Sequence, residues 1–418
     1  MQSIRSVRSI AAIAALAVLL LLALASACSR SSNTAAESIP IGVVLPITGR
    51  EAKPGQYQKE GIELAIKEIN EGGGVYVKSI GKKLPLKMVF YDDGSDQAKS
   101  ASLAERAMSS DKVVAMVSGY STPLGEAESV MPDRYKVPWI TPGAAASSIF
   151  SHGYKYTFGT LSPVNILGST TAEYLGTLVD QGKLKKGQKL ALVVENTDHG
   201  VDYVNGIKDW IKEHPGYFTV VFDEKFELGG TDFSGLLQKV RAAKADIFLA
   251  DAHLKDYITM QRQYLQSGMR HKMISYGARG PEADAYKALG DGVDYIFAGI
   301  WWSDQLPYPQ VKKFTQDYKT LTGHPPDSWY PATAYDSIRA VAKAIEDAGS
   351  LDKTAIRDSL DKVKLTDSLL PGQVLDFGPN GQVHTPFVIV QNKTGGKVDI
   401  VYPKDAATGQ SVAPIPKS

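Results

Sequence analysis

The chain has 418 residues, of which 43% are hydrophobic and 22% are charged, and its formal net charge is +1. This composition is typical of a globular protein, and the length is sufficient for two hydrophobic cores. It excludes a disordered or fibrous chain, and a nearly neutral sequence without a block of Lys and Arg gives no electrostatic support for nucleic-acid binding.

The N-terminus has the pattern of a secretory signal. Arg5 and Arg8 precede an apolar run over 10–24, and the small residues of "ASAC" follow. The segment "LALASAC" resembles a bacterial lipobox, which implies removal of residues 1–27 and acylation of Cys28. An uncleaved membrane anchor and plain secretion are the alternatives, and all three place the domain outside the cytoplasm. Because Cys28 is the only cysteine, the folded domain has no internal disulfide.

Residues 28–38 contain Cys28 followed by small, polar residues, and they predict a flexible tether. Short apolar strands then alternate with amphipathic helices. In the first helix Ile62, Ala65 and Ile66 recur at the spacing of one helical face. Two series of four strand–helix units follow each other, and this alternation predicts α/β architecture with doubly wound parallel sheets in two lobes.

The predicted break between the two series falls at 155–163. Beyond the second series the sequence predicts long helices over 308–322 and 333–348. A β-rich tail follows, with hairpin signals at Pro379-Asn380-Gly381 and at Gly395-Gly396.

Small, hydroxyl and polar residues follow most of the predicted strands, as in "GYST", "TPGAAAS", "NTDHG", "DAHLKD" and "YGARG". In a doubly wound sheet, ligands bind beyond the carboxyl ends of the strands, where helix N-termini offer unpaired N–H groups. Thr122 is predicted as an N-cap with Pro123 at the first helical position. Ser121 and Thr122 therefore either cap their own helix or contact a ligand.

Several collinear segments resemble one known family. They are "IPIGVVLPITG", "EGIELAIKEINEGGGV", "VSGYSTPLGEAESVMPDRYKVPWITPGAAAS", "GGTDFSGLLQKVRAAKADIFLAD" and "TLTGHPPDSWYPATAYDSIRAVAKAIEDAGS". In order and spacing they are similar to the extracytoplasmic substrate-binding proteins of ABC transporters of the leucine/isoleucine/valine-binding type. The resemblance covers about residues 38–402.

This resemblance implies a type I periplasmic-binding fold, in which two lobes joined by three crossovers close on a small molecule and present it to an ABC permease. It implies no cofactor, and the sequence predicts no metal site. The implied N-terminal lobe is 39–159 plus 301–373, the C-terminal lobe is 160–300 plus 374–404, and 405–418 form a tail.

The resemblance also implies ligand contacts in the N-terminal lobe. Thr122 matches the residue that helps to bind the α-carboxylate of the ligand, and Ser121 and Tyr120 beside it are further candidates. The loop of Gly143, Ala144 and Ala145 matches the segment that holds the carboxylate and the ammonium. This loop lacks a hydroxyl that the family commonly has.

The C-terminal lobe departs further from the family. Arg279 stands near the place of an acid that commonly pairs with the ligand ammonium. Since an arginine binds carboxylate or phosphate, we expect an anionic group on the ligand, as in an acidic amino acid, a dicarboxylate or an aromatic acid. Pairing of Arg279 with Glu282 or Asp284 is the alternative. His199 replaces a frequent aromatic residue.

Other candidates have weaker signals. His253 lies after a predicted strand, and Tyr57 could reach the cleft from the first strand–helix unit. Trp301, Trp302, Trp329 and Tyr330 either pack in the core or stack on a bound ring.

The motifs of several enzyme classes are absent. The sequence has no G-x-S-x-G, H-E-x-x-H, G-x-x-x-x-G-K-[ST] or G-x-G-x-x-G pattern, so a binding protein is favoured over an enzyme. A ligand-sensing component for a separate signalling partner and, less favoured, a secreted hydrolase are the alternative functions.

Overall fold

The computed structural model describes residues 36–416. The predicted signal peptide, the predicted acylation site Cys28 and most of the predicted tether lie outside these residues. Within the described part of the chain, no helix combines the length and the apolar character needed to cross a membrane.

Strands are numbered along the chain. They are β1 (Ile39–Leu45), β2 (Val75–Val77), β3 (Lys82–Leu84), β4 (Leu86–Asp92), β5 (Ala115–Val117), β6 (Trp139–Thr141), β7 (Thr157–Gly159), β8 (Gln188–Glu195), β9 (Phe218–Phe226), β10 (Ile247–Asp251), β11 (Met273–Tyr276), β12 (Phe297–Ile300), β13 (Lys364–Leu365), β14 (Leu375–Asp376), β15 (Val388–Lys393) and β16 (Lys397–Tyr402).

Helices are numbered in the same way. They are α1 (Ala52–Glu71), α2 (Gln97–Ser109), α3 (Thr122–Ser129), α4 (Pro132–Tyr135), α5 (Ser147–Phe150), α6 (Val164–Asp180), α7 (Asp198–Glu213), α8 (Ser234–Ala243), α9 (Leu254–Gln266), α10 (Ala283–Leu289), α11 (Pro309–Thr322), α12 (Tyr330–Ala348) and α13 (Lys353–Leu360). The 3₁₀ turns Gly290–Val293 and Thr394–Gly396 complete the assignment.

The first lobe is built on a five-stranded sheet in the order β4-β1-β5-β6-β7. All of its strand pairs are parallel, as the sequence predicted. Helices α1 and α12 pack against each other beside this sheet, whereas α2 contacts β1 and packs on α3. Val44, Met116 and Trp139 from the strands form a buried core with Ala104 and Met108 of α2.

The second lobe is built on a seven-stranded sheet in the order β16-β15-β12-β11-β10-β8-β9. The strands from β8 to β12 are parallel, and the tail adds the antiparallel strands β15 and β16. The hairpin predicted at Gly395-Gly396 joins these two strands, and both glycines have positive φ angles.

The hairpin predicted at Pro379-Asn380-Gly381 is wrong. Strand β14, which precedes it, pairs with β13 rather than with β15. The turn lies instead against the end of β7, where the Gly159 N–H donates to the Gly381 carbonyl at 2.9 Å. The turn signal is real, but the segment that follows it pairs with a different strand.

The chain passes between the two sheets three times, after β7, after β12 and before β15. These three crossovers lie side by side. The Ser162 hydroxyl donates to the Thr385 carbonyl at 2.7 Å, and Trp301 Nε1 donates to the Ser162 carbonyl at 3.0 Å. The exact residue bounds of the two lobes stay a prediction.

Residues near the C-terminus run back across the second lobe. The Val412 N–H donates to Gln391 Oε1 at 2.8 Å, and the Ile415 N–H donates to the Lys272 carbonyl at 2.8 Å. Ile415 also packs against the core between β10 and α9. The segment predicted as a C-terminal tail is therefore tied to the second sheet.

Candidate ligand-binding site

Strand ends from both sheets surround a narrow cavity of about 10 Å³, which is about the space that one water molecule needs. Its lining residues are Ser121, Thr122, Gly143, Ala145, Leu161, His199, His253, Arg279, Trp301 and Trp329. Seven of them are residues that the sequence proposed as ligand contacts. We call Ser121, Thr122, Gly143 and Ala145 the first wall, and His199, His253 and Arg279 the second wall.

Thr122 presents a free hydroxyl to this cavity. Helix α3 begins at Thr122 with Ser121 in the N-cap position, so the predicted cap was one residue too far along the chain. Ser121 makes no side-chain cap bond. Thr122 is only 2% exposed and its Oγ1 has no hydrogen-bond partner. Because neither hydroxyl caps the helix, a role for Thr122 in ligand binding is favoured.

The loop after β6 brings its backbone close to two buried side chains. A Cβ atom on Gly143 would lie 2.6 Å from Gln58 Nε2 and 2.7 Å from Tyr120 Cδ2, which leaves room only for glycine. Ala144 does not line the cavity. Its N–H donates to Thr141 Oγ1 at 2.9 Å, and its side chain packs in the core of the first lobe.

Tyr120 and Tyr57 do not line the cavity. Tyr120 is fully buried with an unpartnered hydroxyl, and its ring centroid is 5.6 Å from that of Tyr330 and 6.4 Å from that of His253. Tyr57 stacks on the Tyr330 ring at 6.4 Å, and its hydroxyl lies 3.5 Å from Asp284 Oδ2. Both residues are thus close to the cavity without forming its surface.

Arg279 is the main cation of the second wall, with 4% of its surface exposed. The pairing considered as the alternative is weak, because Nε is 3.8 Å from Glu282 Oε1, and both Nε and Nη1 lack hydrogen-bond partners. Asp284 pairs instead with Lys287 at 3.0 Å. The guanidinium faces the rings of Trp329 and Tyr330 at 5.7 and 5.8 Å.

His253 is held between two buried carboxylates. Its Nδ1 is 2.7 Å from Glu51 Oε1, and its Nε2 is 3.3 Å from Glu195 Oε2. Burial opposes the charge of His253, but Glu195 and Glu51 outweigh it and raise the pKa of the imidazole to about 10. Burial likewise opposes ionisation of Glu195, and His253 brings the pKa of that carboxyl down to about 2.

We use the name bridge for the two linked ion pairs of Glu51, His253 and Glu195. The bridge joins the two lobes. Glu51 precedes α1 in the first lobe, whereas Glu195 ends β8 and His253 precedes α9 in the second. The contact between Glu51 and His253 therefore exists only when the lobes are together, and the structure is a closed form. Sequence patterns did not single out Glu51 or Glu195, although both lie close to predicted strand ends.

His199 forms a second pair in the same wall. Its Nδ1 is 2.7 Å from Asp251 Oδ2, and both residues are buried. Burial disfavours a charged imidazole, but Asp251 overcomes this and raises the pKa of His199. Because Nδ1 is engaged by Asp251, the other ring nitrogen is the one that remains for a ligand.

Glu195, His199 and Asp251 also place one donor atom each within 4.8 Å of one another, which is a possible arrangement for a metal ion. Glu195 already accepts from the Thr197 hydroxyl at 2.7 Å and lies beside the protonated His253. A cation at this position would be repelled by His253, so the arrangement is better explained as ion pairing.

The predicted aromatic pairs divide between cavity and core. Trp329 lines the cavity with an unpartnered Nε1, and its ring lies 4.8 Å from that of Trp301 in an edge-to-face arrangement. Trp302 packs against Phe314 at 5.6 Å. The Tyr330 hydroxyl donates to Glu282 Oε1 at 2.6 Å. Trp329 thus lines the cavity, and the aromatic residues in the sequence gave no way to distinguish it from Trp302 and Tyr330, which do not.

Larger hollows of about 230 and 520 Å³ occur elsewhere in the described chain. The first lies beside Trp302 and Asp304, and the second lies between Phe150 and Arg357. Neither is lined by strand ends from both sheets, so neither has the position expected of a cleft ligand.

The sequence model of the periplasmic binding protein family matches residues 38–397. The chain therefore belongs to this family, which acts outside the cytoplasm and whose members bind solutes rather than transform them. This confirms the resemblance seen in the sequence.

Among curated proteins, Leu/Ile/Val-binding protein homolog 8 of Brucella suis biovar 1 (strain 1330) is 26% identical over 396 residues, covering 91% of this chain and 94% of the relative. Two solved structures share the fold. The substrate-binding protein LivJ of Streptococcus pneumoniae, in complex with isoleucine, has a TM-score of 0.73 and 24% identity over 90% of this chain and 100% of its own. A solute-binding protein of Rhodopseudomonas palustris BisB5, in complex with 3,4-dihydroxybenzoic acid, has a TM-score of 0.76 and 20% identity over 91% and 99%.

Proposed function

We propose that this protein captures a small carboxylate-bearing or amino-acid-like solute in the cavity between its lobes and delivers it to an ABC permease. The observation that carries the proposal is the set of unpartnered donors on Thr122, Arg279 and Trp329 around one closed cavity. Buried donors without partners are costly, and a carboxylate would satisfy them. The isoleucine and dihydroxybenzoic acid bound by two structural relatives both carry such a group.

Binding and closure are coupled in this proposal. With the lobes apart, the ligand binds to one wall; closure then adds the other wall and excludes water, which strengthens each hydrogen bond inside. The ligand favours closure because it has more contacts in the closed form than in the open one. A ligand of about 10 heavy atoms reaches micromolar affinity, about −8 kcal/mol, at about −0.8 kcal/mol per atom.

The proposal includes a lipid anchor at Cys28. One acyl chain holds a protein only weakly at a membrane, so retention needs more than one. Mass spectrometry of the mature N-terminus should find an acylated Cys28, and Cys28→Ala should move the protein into the soluble fraction. An unmodified N-terminus would exclude the anchor without affecting the proposed ligand binding.

The binding function is tested on the mature protein purified from its own cells. Native mass spectrometry should show one small molecule per chain, and a thermal-shift screen of amino acids and organic acids should find compounds that raise the melting temperature. A bound compound should be recovered unchanged. A screen without any stabilising compound, or consumption of the compound, would contradict the proposal.

A further inference from the structure

The cavity contains no acidic group of its own. Its ionisable lining residues are His199, His253 and Arg279, all of which are basic. The remaining lining residues are uncharged, and the Thr122 hydroxyl and the indole N–H of Trp329 are fully buried atoms on them without a hydrogen-bond partner. The cavity surface therefore offers hydrogen-bond donors and positive charge.

Three acids that lie behind this surface are each paired with a histidine of the protein. Glu51 and Glu195 flank His253, and Asp251 is bonded to His199. Glu51 also accepts from Arg50 Nε at 2.7 Å. An ammonium group on a ligand would have to compete with these histidines for the same carboxylates.

Glu282 is the remaining acid near Arg279, and it is engaged differently. It is 2% exposed and accepts a hydrogen bond from Tyr330 at 2.6 Å. Burial raises the pKa of Glu282 to about 8, although Arg279 opposes the shift. Its nearer oxygen is 3.8 Å from Arg279 Nε, beyond hydrogen-bond distance, so Glu282 leaves both Nε and Nη1 of Arg279 without a hydrogen-bond partner.

We propose that the ligand is a small organic acid without an ammonium group, with a carboxylate bound by Arg279 and a second oxygen near Thr122. The inference rests on the proposed function and narrows it to one chemical class. An arginine with Nε and Nη1 both free suits the two oxygens of a carboxylate. A buried ammonium beside Arg279 and a protonated His253 would have neither a free carboxylate nor water to stabilise it.

The test uses pairs of compounds that differ only in the ammonium group. They are L-leucine and 4-methylpentanoate, L-glutamate and glutarate, and L-phenylalanine and 3-phenylpropanoate, with 4-hydroxybenzoate as a rigid acid. Isothermal titration at pH 7 should show that each acid that binds does so at least about 10-fold more tightly than its amino partner.

An amino acid that binds less than about 10-fold more weakly than its partner overturns the inference and leaves the proposed function standing. If no compound of the pairs binds, the hits of the thermal-shift screen decide: hits without an ammonium group support the inference, and hits with one overturn it. A screen without hits overturns both the inference and the proposed function.

Variants of Arg279 locate the carboxylate. In Arg279→Gln the binding of the preferred acid should fall by about 10- to 100-fold, because a charge-assisted pair of hydrogen bonds is lost. Arg134→Gln is the matched control, since Arg134 is 67% exposed at the surface and should leave binding unchanged.

If Arg279→Gln does not fold, Arg279→Lys replaces it. Lysine keeps the positive charge but not the two parallel N–H groups, so binding should weaken by about 10-fold. Undiminished binding in a folded variant of either kind overturns the inference.

Discussion

Glu128 in the first lobe and Glu195 in the second are the same residue type at nearly the same burial, 0% and 1% exposed, yet their charges differ. Glu128 accepts from the Ser100 hydroxyl at 2.7 Å, the Ser118 hydroxyl at 2.5 Å and the Trp139 indole at 2.9 Å. Burial raises its pKa to about 8, and these neutral donors do not reverse the shift. Glu195 has His253 as its neighbour, and its pKa is about 2.

The two walls of the cavity also differ in charge. The first wall is uncharged, and its hydroxyl on Thr122 is free. The second wall is charged, and its histidines are already bonded to acids. We infer that the first wall contributes to ligand binding with little role in stability, whereas the second wall contributes to both.

The largest effect is expected from His253→Leu. It leaves Glu195 buried without its ion-pair partner and Glu51 with Arg50 alone, and breaking a buried pair in this way costs about 3–5 kcal/mol. Urea denaturation followed by circular dichroism measures the loss in the free energy of unfolding. His152→Gln is the control, because His152 is exposed and its replacement should change stability by no more than about 0.5 kcal/mol. A similar small change in both variants would show that the bridge does not stabilise the fold.

The pH dependence of stability is the next effect. The pKa of His253 is about 10 in the fold, above its usual 6.5, so its contribution is complete below pH 6.5 and is lost as the pH rises toward 10. The pKa of Glu195 is lowered from 4.5 to about 2, so its contribution is present above pH 4.5 and is lost as the pH falls through 2.

The bridge is therefore most stabilising between about pH 4.5 and 6.5. The melting temperature should fall by several degrees between pH 6 and 9.5, at about 2–4 °C per kcal/mol. Scanning fluorimetry measures the fall, which should be smaller in His253→Leu. An equal fall in this variant would assign the pH dependence to other groups, such as Glu128.

The variant Glu128→Gln tests whether Glu128, unlike Glu195, is uncharged in the fold. A glutamine resembles the protonated carboxyl, so at pH 6 the variant should match the wild type within about 1 kcal/mol. At pH 9 the variant should be more stable than the wild type. The wild type then loses stability because its buried Glu128 either ionises in the core or stays protonated at a pH above its pKa of about 8. Urea denaturation at pH 6 and at pH 9 measures the free energy of unfolding of the variant and of the wild type. A large loss of stability at pH 6 would mean that Glu128 is charged in the fold.

The smallest effect on stability is expected from Thr122→Val. The variant removes an unpartnered hydroxyl and keeps the side-chain volume, so stability should stay equal or rise by up to about 1 kcal/mol. Ligand affinity should fall by about 5- to 10-fold.

Thr157→Val is the matched control for this variant. Thr157 is also buried in the first lobe with an unpartnered hydroxyl, but it does not line the cavity. Its replacement should leave ligand affinity unchanged. Loss of affinity in both variants would point to an indirect effect on the lobe.

The sequence was informative about the first wall because local patterns determine it. Alternating strands and helices predict where Ser121, Thr122 and Gly143 lie, at the carboxyl ends of parallel strands. The bridge could not be predicted in this way. Glu51 and His253 are 202 residues apart, and their contact depends on how two separate lobes face each other. The failed hairpin at Pro379 has a similar cause, since turn residues do not reveal which strand a segment pairs with.

The bridge also bears on how the two lobes behave before a solute arrives. A buried ion pair loses about as much through dehydration as it gains through attraction, so Glu51 and His253 together supply little net free energy for closing. When the lobes separate, water would solvate both side chains and offset the loss of their contact. The bridge therefore fixes the relative orientation of the lobes but adds little to the stability of the closed form. The equilibrium between the open and closed forms is then determined mainly by the binding of the solute.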